Sequence, residues 1–239
     1  MATHYNPHIV TDGLVLCLDA ADKNSYPGSG TTWYDLSGNG NDGTLTNGPT
    51  FSSDKGGTIV FDGANDYVSM PHSATLKPTV HITVSAWVYS SDWSSTTAQR
   101  FVSNTESAGM QLSWNEGSYV PSGHIGFLIN LTTVAYKSAY FAVSTLGAGW
   151  HYIVGTYDGR YVKFYFDGNL VDTEDAGATY TIHQHSSNST FIGAEAAAGA
   201  TPSGQYFYGR IAGVKIYNRA LSAKEVSQNF NAQRSRFGI

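Results

Sequence analysis

Carboxylate side chains are the first candidates for chemistry in this sequence, because hydrolysis of a glycosidic bond needs two of them on either side of one bond. In a retaining mechanism the two carboxyl groups lie about 5–5.5 Å apart. The adjacent residues Glu174 and Asp175 would face opposite sides of a strand, so they do not form such a pair. The other glutamates are isolated: Glu106, Glu116, Glu195 and Glu225. We therefore expect a protein that is not an enzyme.

A second candidate chemistry is calcium binding. Asp62 and Asp66 flank a turn that contains Gly63, and their carboxylates could serve as calcium ligands. Calcium takes six to eight oxygen ligands, and too few others can be named here. The alternative is that both side chains accept hydrogen bonds from the backbone amides of their own turn. We favour this alternative, so no cofactor is required and calcium remains the second interpretation.

The pair His183 and His185 is spaced so that both imidazoles would lie on one face of a strand, where they could chelate a metal ion. No third ligand is evident nearby. Histidines exposed at a strand edge are therefore the favoured interpretation, because motif matches this short are commonly accidental.

Aromatic residues offer a third kind of site, since the C–H faces of sugar rings stack on aromatic side chains. Four aromatic residues lie in or near predicted loops at strand ends, and they are our candidate glycan-binding residues: Trp93, Trp114, Tyr119 and Tyr136. The alternative is that these side chains belong to the core or to a protein interface, which is where aromatic residues of sandwiches are more often found.

The elements that must position these residues are predicted by turn and strand signals. Asp-Gly pairs at 158–159 and 167–168 separate β-rich runs, and such pairs favour tight type I′ hairpins. Between them Val162, Phe164 and Phe166 alternate with more polar residues, which is typical of a half-buried strand. The sequence therefore predicts antiparallel meanders.

Further strand patterns recur along the chain with turn signals between them. We expect strands at 12–20, 58–62, 66–70, 81–89, 100–103, 109–114, 124–130, 139–142, 190–193 and 207–217. Residues 21–50 are rich in turn-forming residues and predict a long surface connection, and 194–204 predict an exposed loop. No repeat or linker is evident. The fold class is therefore all-β, an antiparallel sandwich or jelly roll, and we expect one domain over 1–239 with its core in 12–220.

One short C-terminal helix, about 222–234, is predicted by a capping box in which Ser222 is the N-cap and Glu225 the third helical residue. Leu221 and Val226 are placed to form a hydrophobic staple across the helix start. We expect Phe230 to pack against the edge of the sandwich.

Composition excludes several classes of function. The chain has 13 Lys and Arg against 18 Asp and Glu, a net charge of −5, and no basic run that would favour nucleic acid. No apolar stretch is long enough to span a membrane. Cys17 is the single cysteine, and the N-terminus shows no signal-peptide pattern. These features indicate a protein made in a reducing cytosol.

Six motifs occur in an order that resembles the concanavalin A-like lectin/glucanase superfamily, in its laminin-G-like jelly-roll branch. They are Val-Phe-Asp-Gly-Ala-Asn-Asp-Tyr-Val at 60–68, Ile-Thr-Val-Ser-Ala-Trp-Val at 82–88, Trp-His-Tyr-Ile-Val-Gly-Thr-Tyr-Asp at 150–158, Val-Lys-Phe-Tyr-Phe-Asp-Gly at 162–168, Phe-Ile-Gly at 191–193 and Tyr-Gly-Arg-Ile-Ala-Gly-Val-Lys-Ile-Tyr-Asn-Arg-Ala-Leu-Ser at 208–222. The resemblance implies two curved antiparallel sheets over one core. The expected core residues are Phe61, Tyr67, Trp87, Val154, Phe164, Phe166, Ile192 and Ile216.

The opening of the chain resembles the versions of this domain found in virion proteins of tailed bacteriophages. The matching residues are Gly-Leu-Val-Leu-Cys-Leu-Asp-Ala-Ala-Asp at 13–22 and Trp-Tyr-Asp-Leu-Ser-Gly-Asn-Gly-Asn-Asp-Gly at 33–43. This resemblance implies a non-catalytic virion module (capsid decoration, head fibre or tail), assembled in the host cytoplasm. Its partners would be other virion proteins and copies of itself, with a trimer suited to capsid symmetry. The alternative function is a lectin-like module for host surface glycans, with or without calcium.

Overall fold

The computed structural model describes residues 8–104, 108–196 and 201–239. Within these residues it has eighteen β-strands, two short 3₁₀ turns at Asp54–Gly56 and Ala74–Leu76, and one α-helix at Ala223–Phe237 (α1). The strands, numbered in chain order, form two eight-stranded sheets and one small ribbon. Every pairing between these strands is antiparallel. The prediction of an all-β, two-sheet sandwich with one C-terminal helix is confirmed.

The first sheet is centred on the longest strand of the fold. Its order is β14 (Asn169–Asp175), β13 (Tyr161–Phe166), β12 (Gly149–Tyr157), β7 (Ile82–Ser90), β18 (Tyr208–Tyr217), β5 (Thr58–Asp62) and β4 (Thr50–Ser52). The strand β1 (Leu14–Asp19) pairs with the second half of β18, beside the part that pairs with β5. The strand β18 thus pairs with three neighbours, β1, β5 and β7, and fixes their register.

The second sheet lies across the core from the first. Its order is β11 (Ala135–Ala142), β10 (His124–Leu131), β9 (Met110–Trp114), β8 (Gln99–Ser103), β15 (Thr190–Ile192), β6 (Tyr67–Met70), β3 (Gly43–Thr46) and β2 (Thr32–Trp33). The ribbon consists of β16 (Glu195–Ala196) and β17 (Pro202–Gly204). The predicted surface connection over 21–50 contains β2, β3 and the start of β4 (Thr50–Ser52). The predicted exposed loop over 194–204 contains β16 and β17, and its residues 197–200 lie outside the described residues.

The two predicted Asp-Gly hairpins differ in geometry. Asp167 and Gly168 both have positive φ, 47° and 80°, and join β13 to β14 as the expected two-residue turn. At the other pair only Gly159 has positive φ, and four residues separate the paired ends of β12 and β13. There Asp158 Oδ1 instead accepts hydrogen bonds from the backbone amides of Arg160 and Tyr161 in the same turn. Side-chain capping therefore replaces the tighter turn.

The main core lies between the sheets and follows the predicted alternation. Along β7 the inward side chains Ile82, Val84, Ala86 and Val88 are at most 1% exposed. Of the eight expected core residues, five lie in this cluster: Phe61, Phe164, Phe166, Ile192 and Ile216. Tyr67 is half-buried and packs edge-on against Phe191, with ring centroids 5.7 Å apart.

A second apolar layer covers the outer face of the first sheet. Trp87 and Val154 belong to this layer, not to the space between the sheets. The Trp87 ring stacks against Phe237 at 4.0 Å and Phe230 at 5.7 Å between centroids. The helix therefore lies on a sheet face, and the expectation that Phe230 packs at the sandwich edge was wrong. The alternation of β7 places Trp87 outward, and α1 supplies its cover.

Both ends of α1 are capped. Ser222 and Glu225 form the predicted capping box, and Arg219 donates two hydrogen bonds to the Glu225 carboxylate. At the other end Gly238 adopts φ 79° and its backbone N–H closes the last turn. The helix extends three residues beyond the predicted end at 234. No helix in the described residues is long and apolar enough to cross a membrane.

Truncating Phe230 to alanine tests the helix layer. Phe230 is 8% exposed, and its removal leaves a cavity above Trp87 and Tyr152, so we expect the free energy of unfolding to fall by about 3 kcal/mol. Urea denaturation measures this change, with Lys224→Ala on the exposed side of α1 as the matched control. Equal stabilities for the two variants would contradict the docking of α1 on this face.

The ion pair at the start of α1 predicts a pH dependence. Hydrogen bonds from Arg219 are the main cause that lowers the pKa of Glu225 from 4.5 to about 2. A carboxyl with a lowered folded-state pKa stabilises the protein above its unfolded pKa, and this contribution is lost as pH falls through the folded pKa. The stability difference between wild type and Glu225→Gln should therefore shrink between about pH 5 and pH 2. Glutamine still supports a capping box. A stability difference between wild type and Glu225→Gln that does not change with pH would therefore show that the Glu225 charge does not stabilise the protein.

Candidate functional site

A cleft of about 350 Å³ opens at one end of the sandwich, and we call it the rim cleft. Strands of both sheets end or begin there: β5, β7 and β18 of the first sheet and β8 and β9 of the second. The residues that line the rim cleft are Asp62, Gly63, Ser90, Asp92, Ser95, Thr97, Gln99, Trp114, Tyr206 and Tyr208. It is therefore built from loops on a rigid frame, with polar walls and three aromatic residues.

Strand pairing brings the walls of the rim cleft together. Tyr208 pairs with Asp62 across β18 and β5, and Gln99 pairs with Trp114 across β8 and β9. The two sheets are linked directly because the Tyr208 backbone N–H donates to Gln99 Oε1 at 2.8 Å. Tyr208 is the most exposed of the large hydrophobic side chains, at 60%. An aromatic ring is thus held at the mouth of the cleft by its backbone.

The aspartates of the first wall hold their own turn. Asp62 Oδ1 accepts from the amides of Ala64 at 2.8 Å and Asn65 at 3.4 Å. Asp66 Oδ2 accepts from the Asp62 amide at 3.0 Å, and burial raises the pKa of the Asp66 carboxyl. The structure thus supports turn capping as the role of both residues. Only Asp62 lines the rim cleft, where its Oδ2 has no protein partner in the described part of the chain.

Asp62 and Asp66 are the residues predicted as the second interpretation to bind calcium. Asp66 Oδ2 already accepts a hydrogen bond from the backbone amide of Asp62. Across residues 8–104, 108–196 and 201–239, no group of three or more His, Cys, Asp and Glu side chains is placed to hold a metal ion. Calcium at this turn would need most of its six to eight oxygens from backbone carbonyls, amide side chains or water, and binding by Asp62 and Asp66 stays a prediction.

Asp92 supplies the second carboxylate of the rim cleft. Its Oδ1 accepts from the Ser94 hydroxyl at 2.6 Å and the Ser94 amide at 2.8 Å, and these hydrogen bonds lower the pKa of the Asp92 carboxyl. Ser90 Oγ bonds both the amide and the carbonyl of Asp92. The loop after β7 is therefore closed on itself, and the exposed Asp92 carboxylate keeps a fixed orientation.

The two predicted tryptophans are buried. Trp93 is 0% exposed and Trp114 1%, and their ring centroids lie 5.1 Å apart. Trp93 also contacts Phe101 and His151, so neither of its faces is available to a sugar ring, and its prediction as a stacking platform was wrong. Trp114 lies at the base of the rim cleft, and its indole Nε1 has no hydrogen-bond partner in the described residues.

Tyr119 and Tyr136 lie together on a different surface. Their ring centroids are 4.9 Å apart, and Tyr119 is 40% exposed. The Tyr119 carbonyl accepts from Ser138 Oγ at 2.6 Å, which ties the loop after β9 to β11. Neither ring lines the rim cleft, so the four predicted aromatic residues do not form one site.

The histidine pair does not lie on one strand face, the arrangement that metal chelation would need, and of the two only His183 is exposed. His183 and His185 lie outside the strands, and the His185 carbonyl accepts from Lys77 Nζ at 2.7 Å. His185 Nδ1 is the partner of the Ser187 amide at 3.3 Å. The two residues belong to a connection that packs against the loop before β7.

Several cleft residues were missed from the sequence. Tyr206 and Tyr208 flank the buried Phe207, an alternation that could have marked both rings as outward-facing. Beyond Tyr208 a second cleft of about 230 Å³ contains Tyr89 and Arg210. The Arg210 guanidinium lies 5.2 Å from the Tyr89 ring centroid and bonds Asp54 at 2.9 Å. Nothing local predicts this second cleft, because its sides come from distant parts of the chain.

A laminin G family model, described as the concanavalin A-like lectin/glucanases superfamily, matches residues 62–227. The chain belongs to this superfamily. The match begins at Asp62 in the rim cleft and ends within α1, so it spans most of both sheets. No curated protein sequence matches the chain.

Solved structures with the same fold include binding domains of clostridial toxins. The receptor binding domain of botulinum neurotoxin C/D mosaic serotype has a TM-score of 0.70 at 15% identity, covering 94% of this chain and 52% of that one. The botulinum neurotoxin serotype D ligand binding domain in complex with N-acetylneuraminic acid has a TM-score of 0.68 at 15% identity, and the match covers 94% of this chain and 52% of that one. The binding domain of Paraclostridial Mosquitocidal Protein 1 has a TM-score of 0.69 at 17% identity, and the match covers 93% of this chain and 52% of that one. This superfamily member thus spans about half the length of those domains, and the likeness shows the shared fold.

Proposed function

We propose that this protein is a carbohydrate-binding module that holds glycans in the rim cleft and does not cleave them. The observation that carries the proposal is the combination of an exposed ring, Tyr208, with two oriented carboxylates in one concave site. Its volume of about 350 Å³ lies at the lower end of the range of small-molecule sites. A sugar unit or two would be held there while the rest of the glycan stays outside.

The chemistry of the walls suits sugar hydroxyl groups. Asp62 and Asp92 each use Oδ1 to cap a turn, which leaves Oδ2 of each to accept a hydrogen bond from a ligand hydroxyl. Hydrogen bonds to a charged acceptor are stronger than those between neutral groups. The ring of Tyr208 offers an apolar face for the C–H groups of a pyranose. Recognition of a sugar ring needs hydrogen-bond acceptors for its hydroxyl groups and an apolar surface for its C–H groups, and the rim cleft offers both.

Hydrolysis lacks its general acid. A glycosidase needs one carboxyl that stays protonated near neutral pH because its pKa is raised. The Asp92 carboxyl has a lowered pKa, owing to Ser94, and Asp62 is exposed with its Oδ1 bonded to amides. Asp66 has a raised pKa but is 4% exposed and does not line the rim cleft. The site therefore supports binding and not bond cleavage.

The comparisons support the same proposal at the level of the fold. The superfamily includes lectins, and two of the toxin neighbours form complexes with N-acetylneuraminic acid and with SialylT. Because this chain matches about half of each toxin domain, those ligands remain properties of the toxins. The argument for glycan binding here rests on the rim cleft itself.

The variant Tyr208→Ala tests the proposal. We expect its affinity for a glycan that the wild type binds to fall at least tenfold, because the alanine removes the stacking face while the backbone bond to Gln99 remains. Glycan-array screening followed by isothermal titration calorimetry measures the effect, with no release of reducing ends from the bound glycan. Tyr34→Ala is the matched control, since Tyr34 is also exposed, at 46%, and lies outside the rim cleft.

The second aromatic surface gives the opposing outcome. If Tyr119→Ala abolishes glycan binding while Tyr208→Ala leaves it unchanged, the Tyr119–Tyr136 pair is the site and the rim cleft is not. Wild-type protein that binds none of the bacterial polysaccharides, lipopolysaccharides and host glycans on the array would contradict the function as a whole.

We also propose that the module is carried by a bacteriophage particle, where it contacts other virion proteins. Support comes from the opening segment that resembles phage versions of the domain. In the structure this segment is built around Asp35, which accepts from the amides of Cys17, Ser37 and Asn41 at 2.9–3.0 Å. It is thus an ordered element attached to β1. We expect copies of the chain to assemble in the host cytoplasm, as a trimer suited to capsid symmetry.

Mass spectrometry of purified phage particles together with light scattering of the isolated protein tests the virion proposal. We expect mass spectrometry to detect the chain among the particle proteins. Its copy number per particle should be a multiple of the number of chains in the oligomer that light scattering finds in solution. A monomer in solution that is missing from the purified particles would contradict the proposal, without bearing on glycan binding.

A further inference from the structure

We infer that the rim cleft selects uncharged sugars over acidic ones such as sialic acids, uronic acids and sulfated sugars. This inference rests on the proposed glycan-binding function and names the class of glycan that the same site takes. It follows from the charges and free hydrogen-bonding atoms that the described residues place around the cleft.

The rim cleft carries two negative charges and no compensating positive one. Asp62 and Asp92 are both exposed, and the hydrogen bonds from Ser94 keep the Asp92 carboxyl ionised at neutral pH. Among the lining residues there is no Lys, Arg or His. Two like unit charges that lie 4 Å apart repel by about 1 kcal/mol even in water. A ligand carboxylate or sulfate entering the cleft therefore meets an unfavourable field.

The cation in the adjoining cleft does not offset this field. Arg210 lies beyond Tyr208 and bonds Asp54 Oδ2 at 2.9 Å. Its guanidinium also lies over the Tyr89 ring, at 5.2 Å from the centroid. The Arg210 charge is thus already paired within the protein and is available to a ligand only in competition with Asp54.

The free atoms of the rim cleft suit hydroxyl and amide groups. The Oδ2 atoms of Asp62 and Asp92 can accept but not donate, so they require a ligand that donates, as a sugar hydroxyl does. An ionised acid group has no proton to donate to them.

Matched pairs of glycans that differ in charge test the inference. Suitable probes are lactose with sialyllactose, methyl-esterified with de-esterified polygalacturonate, and dextran with dextran sulfate. For every pair in which binding occurs, we expect the wild type to prefer the neutral member, with a preference that narrows as salt is added. Isothermal titration calorimetry, or array binding for the polymers, gives the ratio of affinities.

Two variants assign the preference to the carboxylates. Asp62→Asn and Asp92→Asn keep the Oδ1 acceptor that caps each turn and remove the charge, so both are expected to fold. Each should lower the neutral-to-acidic affinity ratio roughly fivefold, the effect of one unit charge about 4 Å away in water. Asp22→Asn is the matched control, because Asp22 also caps an exposed turn and lies outside the rim cleft.

The possible failures are distinguishable. Wild-type affinity for the acidic member that equals or exceeds affinity for the neutral one would overturn the selectivity while leaving glycan binding intact. An unchanged ratio in both Asp→Asn variants would overturn the role of the carboxylates. Absence of binding to every probe would overturn the proposed function and this inference together.

Discussion

The antiparallel pairing of β18 is the constraint on which the rest of the structure depends. This strand pairs with β7 on one side and with both β5 and β1 on the other. Its first residue, Tyr208, is thereby placed beside Asp62 at the rim, while its outward residues Ala212 and Tyr217 contribute to the layer under α1. The rim cleft and the helix layer are thus set by the same register, and a shift of one residue would exchange the two faces of the strand.

Local pattern was sufficient to predict much of the fold. The alternation along β7, the turn at Asp167 and the capping box at Ser222 depend on neighbours in sequence, and the structure contains each of them. The position of α1 was not predictable in this way. Trp87 and Phe230 are 143 residues apart, and only the assembled sheet shows that the outward indole needs a cover. Long-range packing decides such placements.

The site was predicted less well because its members are scattered. Asp62 and Trp114 were both identified, yet for separate chemistries, and it is strand pairing that brings them into one cleft. Trp93 was misplaced because a loop position was taken to mean an exposed ring, whereas this loop folds its indole inward onto Trp114. Tyr208 was overlooked although it begins the last of the six motifs. Aromatic residues in loops therefore indicate a site only when their side chains are known to face outward.

The close contact of Trp93 and Trp114 has a spectroscopic consequence. Two indoles 5.1 Å apart couple their electronic transitions, and one of them lies at the base of the rim cleft. The other three tryptophans, Trp33, Trp87 and Trp150, are buried elsewhere in the apolar clusters. Near-ultraviolet circular dichroism of this indole pair would change as the cleft fills, so the protein contains its own optical reporter of occupancy without any attached label.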